Sequence, residues 1–354
     1  MVQVISGALK NYEWGSDSGL RPWTDGPAPQ AELWFGVHPS GVSPLVNSPD
    51  LLDSVISRNE APILVKLLSA AKPLSVQVHP STEFAQRGFR ELNAGNAFAD
   101  EFEKTELLYA LTDFTAFVGW RDMTQVRKLF AALSQATGIE LLPGSASRAE
   151  AFAHLVRNAN QIPDLQKVIS AIPAALNALE KDCISEDSHQ AYKTVVREYP
   201  DDSGVLLTFF LDVLHMHPGD SVFVPAGVPH SYITGTGVEV MTASDNVLRL
   251  GLTPKPVFPE LALEALDFDG APKMGVQPFT VEVVTGTDSS PAEAELPSGN
   301  YRLALALAGN VTCNQSVGLQ PGQAAVFTAD EPQVSVSTTG MVALVTDAPT
   351  RCEQ

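Results

Sequence analysis

Four polar residues of this chain have the types and spacing of a metal site. Gln77 and His79 lie two apart in Leu74-Ser75-Val76-Gln77-Val78-His79-Pro80. Leu74, Val76 and Val78 share one face of that run and Ser75, Gln77 and His79 the other, the period of a half-buried strand. Ligands at this spacing point the same way, as they do in the mouth of a β-barrel; a solvent-facing pair on an edge strand would read alike. His230 ends the pattern G-x5-P-x-G-x2-H, from Gly219 through Pro225 and Gly227. A turn, an alternating strand and a second tight turn set this histidine just past the strand. Glu106, before the apolar run Leu107–Leu111, reads alone as a solvated strand end. Together with His79 and His230 it completes a mixed nitrogen and oxygen site suited to Zn²⁺ or a similar first-row divalent ion. Arg249 lies among Val247, Leu248 and Leu250, and an arginine buried there needs an anionic partner, either a structural carboxylate or a bound anion.

The other histidines carry less. His38, His154 and His189 read as structural. His215-Met216-His217 looks like a ligand pair, but Pro218-Gly219-Asp220-Ser221 follows, with no glutamate where such a motif needs one. It reads as polar positions on a strand entering a Pro-Gly turn.

The elements that must position these residues follow from periodicity. Residues 1–120 read as strands and turns, including Ala61–His79 and Thr105–Trp120. Residues 122–200 change texture: Val126, Leu129, Phe130 and Leu133, then Leu165, Val168, Ile169 and Ile172, follow the i, i+3, i+4, i+7 spacing of amphipathic helices. Strand and turn character returns at 205–255. Beyond 257, short β-branched runs (Phe279–Val284, Tyr301–Ala308, Ala324–Thr328, Gln333–Ser337, Met341–Val345) predict a small barrel or sandwich. The expected domains are 1–120 with 205–256, a helical subdomain at 121–204, and a C-terminal β domain at 257–354.

Composition bounds the function. With 354 residues, 44% of them hydrophobic and 18% charged, the chain is long and apolar enough for two or three packed lobes without a disulfide scaffold. The net charge of −19 argues against a nucleic-acid binder and against anionic membrane surfaces. It does not exclude an anionic small molecule, because a few cations in one cleft reverse the local field. Three scattered cysteines, Cys183, Cys313 and Cys352, fit a reducing compartment. No signal peptide or membrane-spanning run is legible, so a cytoplasmic protein is expected.

The His230 segment matches the second motif of the cupin superfamily, with Thr234 where asparagine is usual. Taken in order, Asn11–Ser16, Ala31–Gly36, Val65–Leu68, Leu74–Pro80, Lys104–Glu106, Pro225–Tyr232 and Ser244–Lys255 resemble the type I mannose-6-phosphate isomerases, zinc enzymes of that superfamily. The resemblance runs from residue 11 to 255. It departs at Lys104-Thr105-Glu106, where the family usually has Lys-Pro-Glu. It implies a mainly β protein with a helical insert: a cupin (jelly-roll) β-barrel catalytic domain, a helical subdomain, and a second, smaller C-terminal β-barrel domain.

By the same resemblance Gln77, His79, Glu106 and His230 hold one zinc ion per chain. Arg249 is the active-site arginine, and Lys255 the conserved lysine after it. Ser75, Lys104, Glu239, Tyr232 and Asp245 line the pocket, and Trp14 and Lys66 fall in matching segments on the substrate side. The implied reaction interconverts mannose 6-phosphate and fructose 6-phosphate through an enediol. Zinc would stabilise the developing oxyanion. Lys104 and Glu239 are candidates to move the proton, and Arg249 suits phosphate or transition-state charge. Lys66, Lys104, Arg249 and Lys255 should then converge on one cleft. A monomer acting on a small sugar phosphate is expected. The rival readings are a non-catalytic or regulatory sugar-binding cupin, and a metal-dependent cupin oxygenase, which a Gln ligand fits poorly.

Overall fold

The computed structural model describes residues 2–92, 97–144, 146–179, 184–272 and 278–347. Cys183 and Cys352 lie outside them. The first strands are β1 (Gln3–Ser6), β2 (Ala8–Lys10), β3 (Glu32–Phe35), β4 (Ile63–Ala70) and β5 (Val76–Val78). After helix α1 (Thr82–Arg87) come β6 (Glu106–Ala110) and β7 (Phe114–Trp120). Helices α2 (Met123–Thr137), α3 (Arg148–Asn158), α4 (Leu165–Asn177), α5 (Glu186–Glu198) and α6 (Gly204–Leu207) follow. The chain returns through β8 (Leu211–Met216), β9 (Ser221–Val224), β10 (His230–Thr242) and β11 (Leu248–Gly251), then α7 (Pro259–Ala265). The remaining strands are β12 (Thr280–Thr285), β13 (Ala292–Leu296), β14 (Arg302–Ala308), β15 (Val311–Cys313), β16 (Val317–Leu319), β17 (Gln323–Phe327), β18 (Val334–Thr338) and β19 (Met341–Thr346). The mainly β architecture with a helical insert is the one expected.

β10 organises the site. Its first residues pair with β5 and β7, and from Gly235 onward it pairs with β4 and β6. The strand turns at a register shift between Tyr232 and Thr234. Gly235 follows at φ +131°, and a Cβ there would stand 2.4 Å from the Phe114 ring, so only glycine fits the bend. One strand thereby serves two sheet surfaces. β5 lies between β10 and β11, with Val76 and Val78 buried and Gln77 on the opposite face, as its alternation dictates.

The helices form where the apolar spacing predicts them. Val126, Leu129, Phe130 and Leu133 are buried on α2, and Val168, Ile169 and Ile172 on α4. Asp122 caps the start of α2, and Gly138 ends it in the left-handed conformation. Ser147 and Glu150 form a capping box on α3. These faces share one core with Val76, Val78, Phe117, Leu248 and Leu250, so the insert packs directly behind β5 and β11.

The C-terminal strands form two sheets. β14 alternates between two cores: Leu303, Leu305 and Leu307 face Leu33, Phe35, Val65 and Val238, while Ala304 and Ala306 face Val311, Leu319, Val334 and Val336. The five-stranded sheet is thus a filling between the four-stranded sheet and the first lobe. One of its strands is β1, which pairs with β17 and fastens the chain's start into this distant sheet.

Candidate metal centre and active site

His79 follows β5 and is fully buried; His230 opens β10 and is equally buried. The Nδ1 of each faces a main-chain carbonyl, that of Asn246 at 2.9 Å for His79 and that of Val228 at 3.1 Å for His230. A carbonyl only accepts, so each Nδ1 carries the proton and each Nε2 presents a lone pair. Both Nε2 atoms point at Glu106, His79 at 3.2 Å and His230 at 2.9 Å. Lone pairs converging on a carboxylate repel unless a cation lies among them. Burial, with Lys104 adding to it, pushes His79 down to about 3, so a proton on that ring does not fill the role. The Gln77 amide is 3.1 Å from His230 Nε2, and turning the amide presents its oxygen to the same centre. Two imidazoles, a carboxylate and an amide fit Zn²⁺ in number and type.

The supports of this group are specific. The Asn246 side chain accepts from the Ala99 N–H at 2.8 Å and donates to the Phe102 carbonyl at 2.7 Å, holding the main-chain oxygen that orients His79. Gly227, at φ +84° in the turn before β10, donates its N–H to the His79 carbonyl at 2.9 Å. Burial opposes charge on Glu106, but Lys104 at 3.2 Å holds its carboxyl well below the usual range. Tyr232 donates to Glu106 Oε1 at 2.8 Å.

Above the group opens a cleft of about 570 Å³. Gln77, Lys104, Glu239, Ser75, Lys255, Tyr232, Asp245, Trp14, Lys66 and Arg249 all line it. Gln77 on β5 pairs with Arg249 on β11 and with His230 on β10, so three neighbouring strands set these side chains abreast. Among the described residues Arg249 has no ion-pair partner; Asp245 and Tyr12 act on it only at longer range, and burial lowers its pKa. The structural salt bridge that its apolar setting allowed is absent. Lys255 lies 5.2 Å from the Tyr12 ring, its pKa lowered by burial and by Arg249.

Lys66 is spent differently. Its Nζ stands 2.7 Å from Glu239 and 3.3 Å from Glu32, with all three buried. Burial opposes its charge, but Glu239 and Glu32 raise its pKa further than burial lowers it. Glu239 is raised by burial, with Lys66 opposing and the charges of Glu106 and Glu32 assisting.

Sequence reasoning missed several residues of the cleft. Lys72 lies between β4 and β5 and also lines the cleft. Glu198 and Tyr199 come from the end of α5, and no local signal pointed there. Tyr199 donates to the Pro73 carbonyl at 2.9 Å, tying the helical insert to the cleft's rim. His38, read as structural, is buried beside Trp34 with Nε2 3.3 Å from Asp245, so it steadies a cleft residue.

The model of the catalytic domain of type I phosphomannose isomerase matches residues 2–123. The mannose-6-phosphate isomerase of Salmonella typhimurium is 29% identical over 97% of this chain and 99% of its own. That of Schizosaccharomyces pombe is 30% identical over 70% of this chain and 69% of its own. The chain belongs to the type I mannose-6-phosphate isomerase family. A solved structure of the Salmonella isomerase, bound to its substrate and to zinc, superposes with a TM-score of 0.82 at 28% identity, covering 98% of this chain and 99% of that one. Another structure with a TM-score of 0.82, a mannose 6-phosphate isomerase, holds zinc and yttrium. No helix among the described residues is long and apolar enough to cross a membrane.

Proposed function

We propose that the chain is a zinc-dependent aldose–ketose isomerase that interconverts mannose 6-phosphate and fructose 6-phosphate. The observation that carries this reading is the pair of imidazole Nε2 atoms aimed at one buried carboxylate beneath a cleft lined with cations. Gln77, His79, Glu106 and His230 would hold one zinc ion, whose Lewis acidity stabilises charge on the sugar oxygens.

The chain's own groups divide the remaining work. Arg249, opposite Gln77, and Lys255 line the cleft without an ion-pair partner among the described residues, and a planar guanidinium on a strand is rigid enough to orient a phosphate dianion. Lys104 is occupied by Glu106, and Lys66 by Glu32 and Glu239. Transfer of a proton between C1 and C2 needs a group that takes it and gives it back. Glu239, its pKa raised by burial and its side chain reaching the cleft wall, suits that task, with Lys104 on the same wall. Ser75, Trp14, Tyr232 and Asp245 complete the wall against the sugar.

In this reading residues 1–120 and 205–256 carry the site, 121–204 supply its rear wall, and 257–354 support it from below, with β1 serving that support. The enzyme is a cytoplasmic monomer, for which the acidic balance and low cysteine content are the supporting observations.

The test is a coupled isomerase assay on mannose 6-phosphate with metal analysis of the same sample. Chelation should abolish turnover without unfolding the protein, and Zn²⁺ should restore it. Full activity in metal-free protein overturns the reading. Tight sugar-phosphate binding without turnover would instead make the chain a binding cupin, and iron with oxygen uptake an oxygenase.

A further inference from the structure

We infer that Asp113, His215 and His217 form a second, external site for a first-row divalent cation, separate from the buried group. One ligand atom from each of the three lies within 4.8 Å of the others. The placement follows from strand register. β7 and β8 are antiparallel, with Thr115 opposite His215 and Phe114 opposite Met216. One step further the same register sets Asp113 opposite His217, so Asp113, Thr115, His215 and His217 share one face of the pair. The contacts bear this out. His217 Nδ1 is 3.0 Å from Asp113 Oδ1, His215 Nδ1 is 3.3 Å from Thr115 Oγ1, and the two rings meet edge to face at 5.0 Å.

Two further observations mark the face as cation-seeking. His217 and Asp113 are 72% and 68% exposed, so ligand atoms and water can complete a coordination sphere without rearranging a core. The charges acting on His217 are all negative: Asp113, then Asp220 from the turn before β9, then Asp187 on α5. Asp220 also accepts the His217 main-chain N–H at 2.8 Å, which fixes the backbone at this point. Imidazole pairs with one carboxylate select Zn²⁺, Ni²⁺ or Cu²⁺ over Mg²⁺ and Ca²⁺. Asp113 lies past the end of β6 whereas Glu106 begins that strand, so the two sites occupy opposite ends of it. A bound ion joins the turn after β6 to the end of β8 and stabilises the folded state by mass action.

The experiment uses zinc-loaded protein, titrated with additional Zn²⁺ by calorimetry at neutral pH. One further equivalent per chain is expected, with a rise in Tm. H215A/H217A should retain the first equivalent and its isomerase activity but take up no second. Acidification should release the outer ion first, since protons compete with it for both imidazoles. Should the double variant fail to fold, Ni²⁺ added to the unsubstituted holoenzyme should broaden the ring resonances of His215 and His217. No second equivalent in the parent protein, a second equivalent retained by the double variant, or sharp ring resonances under Ni²⁺ would each overturn the assignment. The proposed isomerase activity does not depend on the outcome.

Discussion

Arg249 and Arg302 are both arginines drawn away from water on β-strands, and the two regions that hold them treat the charge in opposite ways. In the C-terminal sheet Arg302 is fully buried, and its guanidinium donates to the carbonyls of Leu296, Pro297, Pro332, Thr328 and Glu331, the shortest at 2.8 Å. Arg249 pairs across to Gln77, lines an open cleft and has no acid in contact among the described residues. Burial depresses the pKa of both, so both bear a desolvation cost. One region meets that cost at once with fixed main-chain oxygens. The other leaves the charge available, the arrangement expected where an anion arrives from outside.

Replacing each arginine separates the two strategies. Arg302→Ala strips a fully buried network of its donor and should destabilise the fold by about 3–5 kcal/mol, read from denaturant midpoints. The kcat/KM of the molecules that remain folded should not change. Arg249→Ala should lower kcat/KM by about 10²-fold or more while the midpoint stays near the parent's. If the stability loss falls on Arg249 and the kinetic loss on Arg302, the contrast is wrong.

Two tyrosines extend the comparison at smaller amplitude. Tyr232 is buried and donates to Glu106, whereas Tyr301 is buried with no partner for its hydroxyl among the described residues. Tyr232→Phe removes a donor from a carboxylate of the proposed metal group and should weaken zinc binding by about 10–100-fold, measured against a competing chelator. Tyr301→Phe removes an unsatisfied hydroxyl and should be neutral or stabilising by up to about 1 kcal/mol. A destabilised Tyr301→Phe would mean that its hydroxyl is paired after all.

What could be read from sequence was what one element encodes by itself. The alternation around Gln77 and His79 specified which face they occupy, and the 3.6-residue spacing located α2 and α4. The Pro225–His230 turn announced a histidine placed just beyond a strand. Pairing across the chain was not legible: β1 with β17, Tyr199 against the Pro73 loop, or Asp113 opposite His217. Periodicity states which side of a strand is wet, but not which strand lies beside it. The same limit hid the trio of Glu32, Lys66 and Glu239. Its members come from β3, β4 and β10; the resemblance set Lys66 and Glu239 at the cleft, but nothing local showed that they pair with each other and with Glu32.

One carboxylate from each region supplies the finest version of the comparison, because Glu106 and Asp347 shift in opposite directions. Burial opposes charge on Glu106, yet Lys104 holds it well below its usual pKa; half-buried Asp347, beyond β19, has only the burial and is raised. A raised folded pKa means that the native chain binds more protons than the unfolded chain between the unfolded value of about 3.9 and the folded one. Stability therefore falls as pH rises through that window, and the loss persists above it. Asp347→Asn keeps the shape and removes the charge. It should stabilise the protein near neutral pH by no more than about 0.5 kcal/mol, and the gain should vanish below the unfolded pKa, where parent and variant are both neutral. Thermal midpoints at neutral and at acid pH measure this. An equal gain at both would assign the effect to packing, and a loss at neutral pH would mean that the Asp347 charge has a partner the cleft region was thought to have alone.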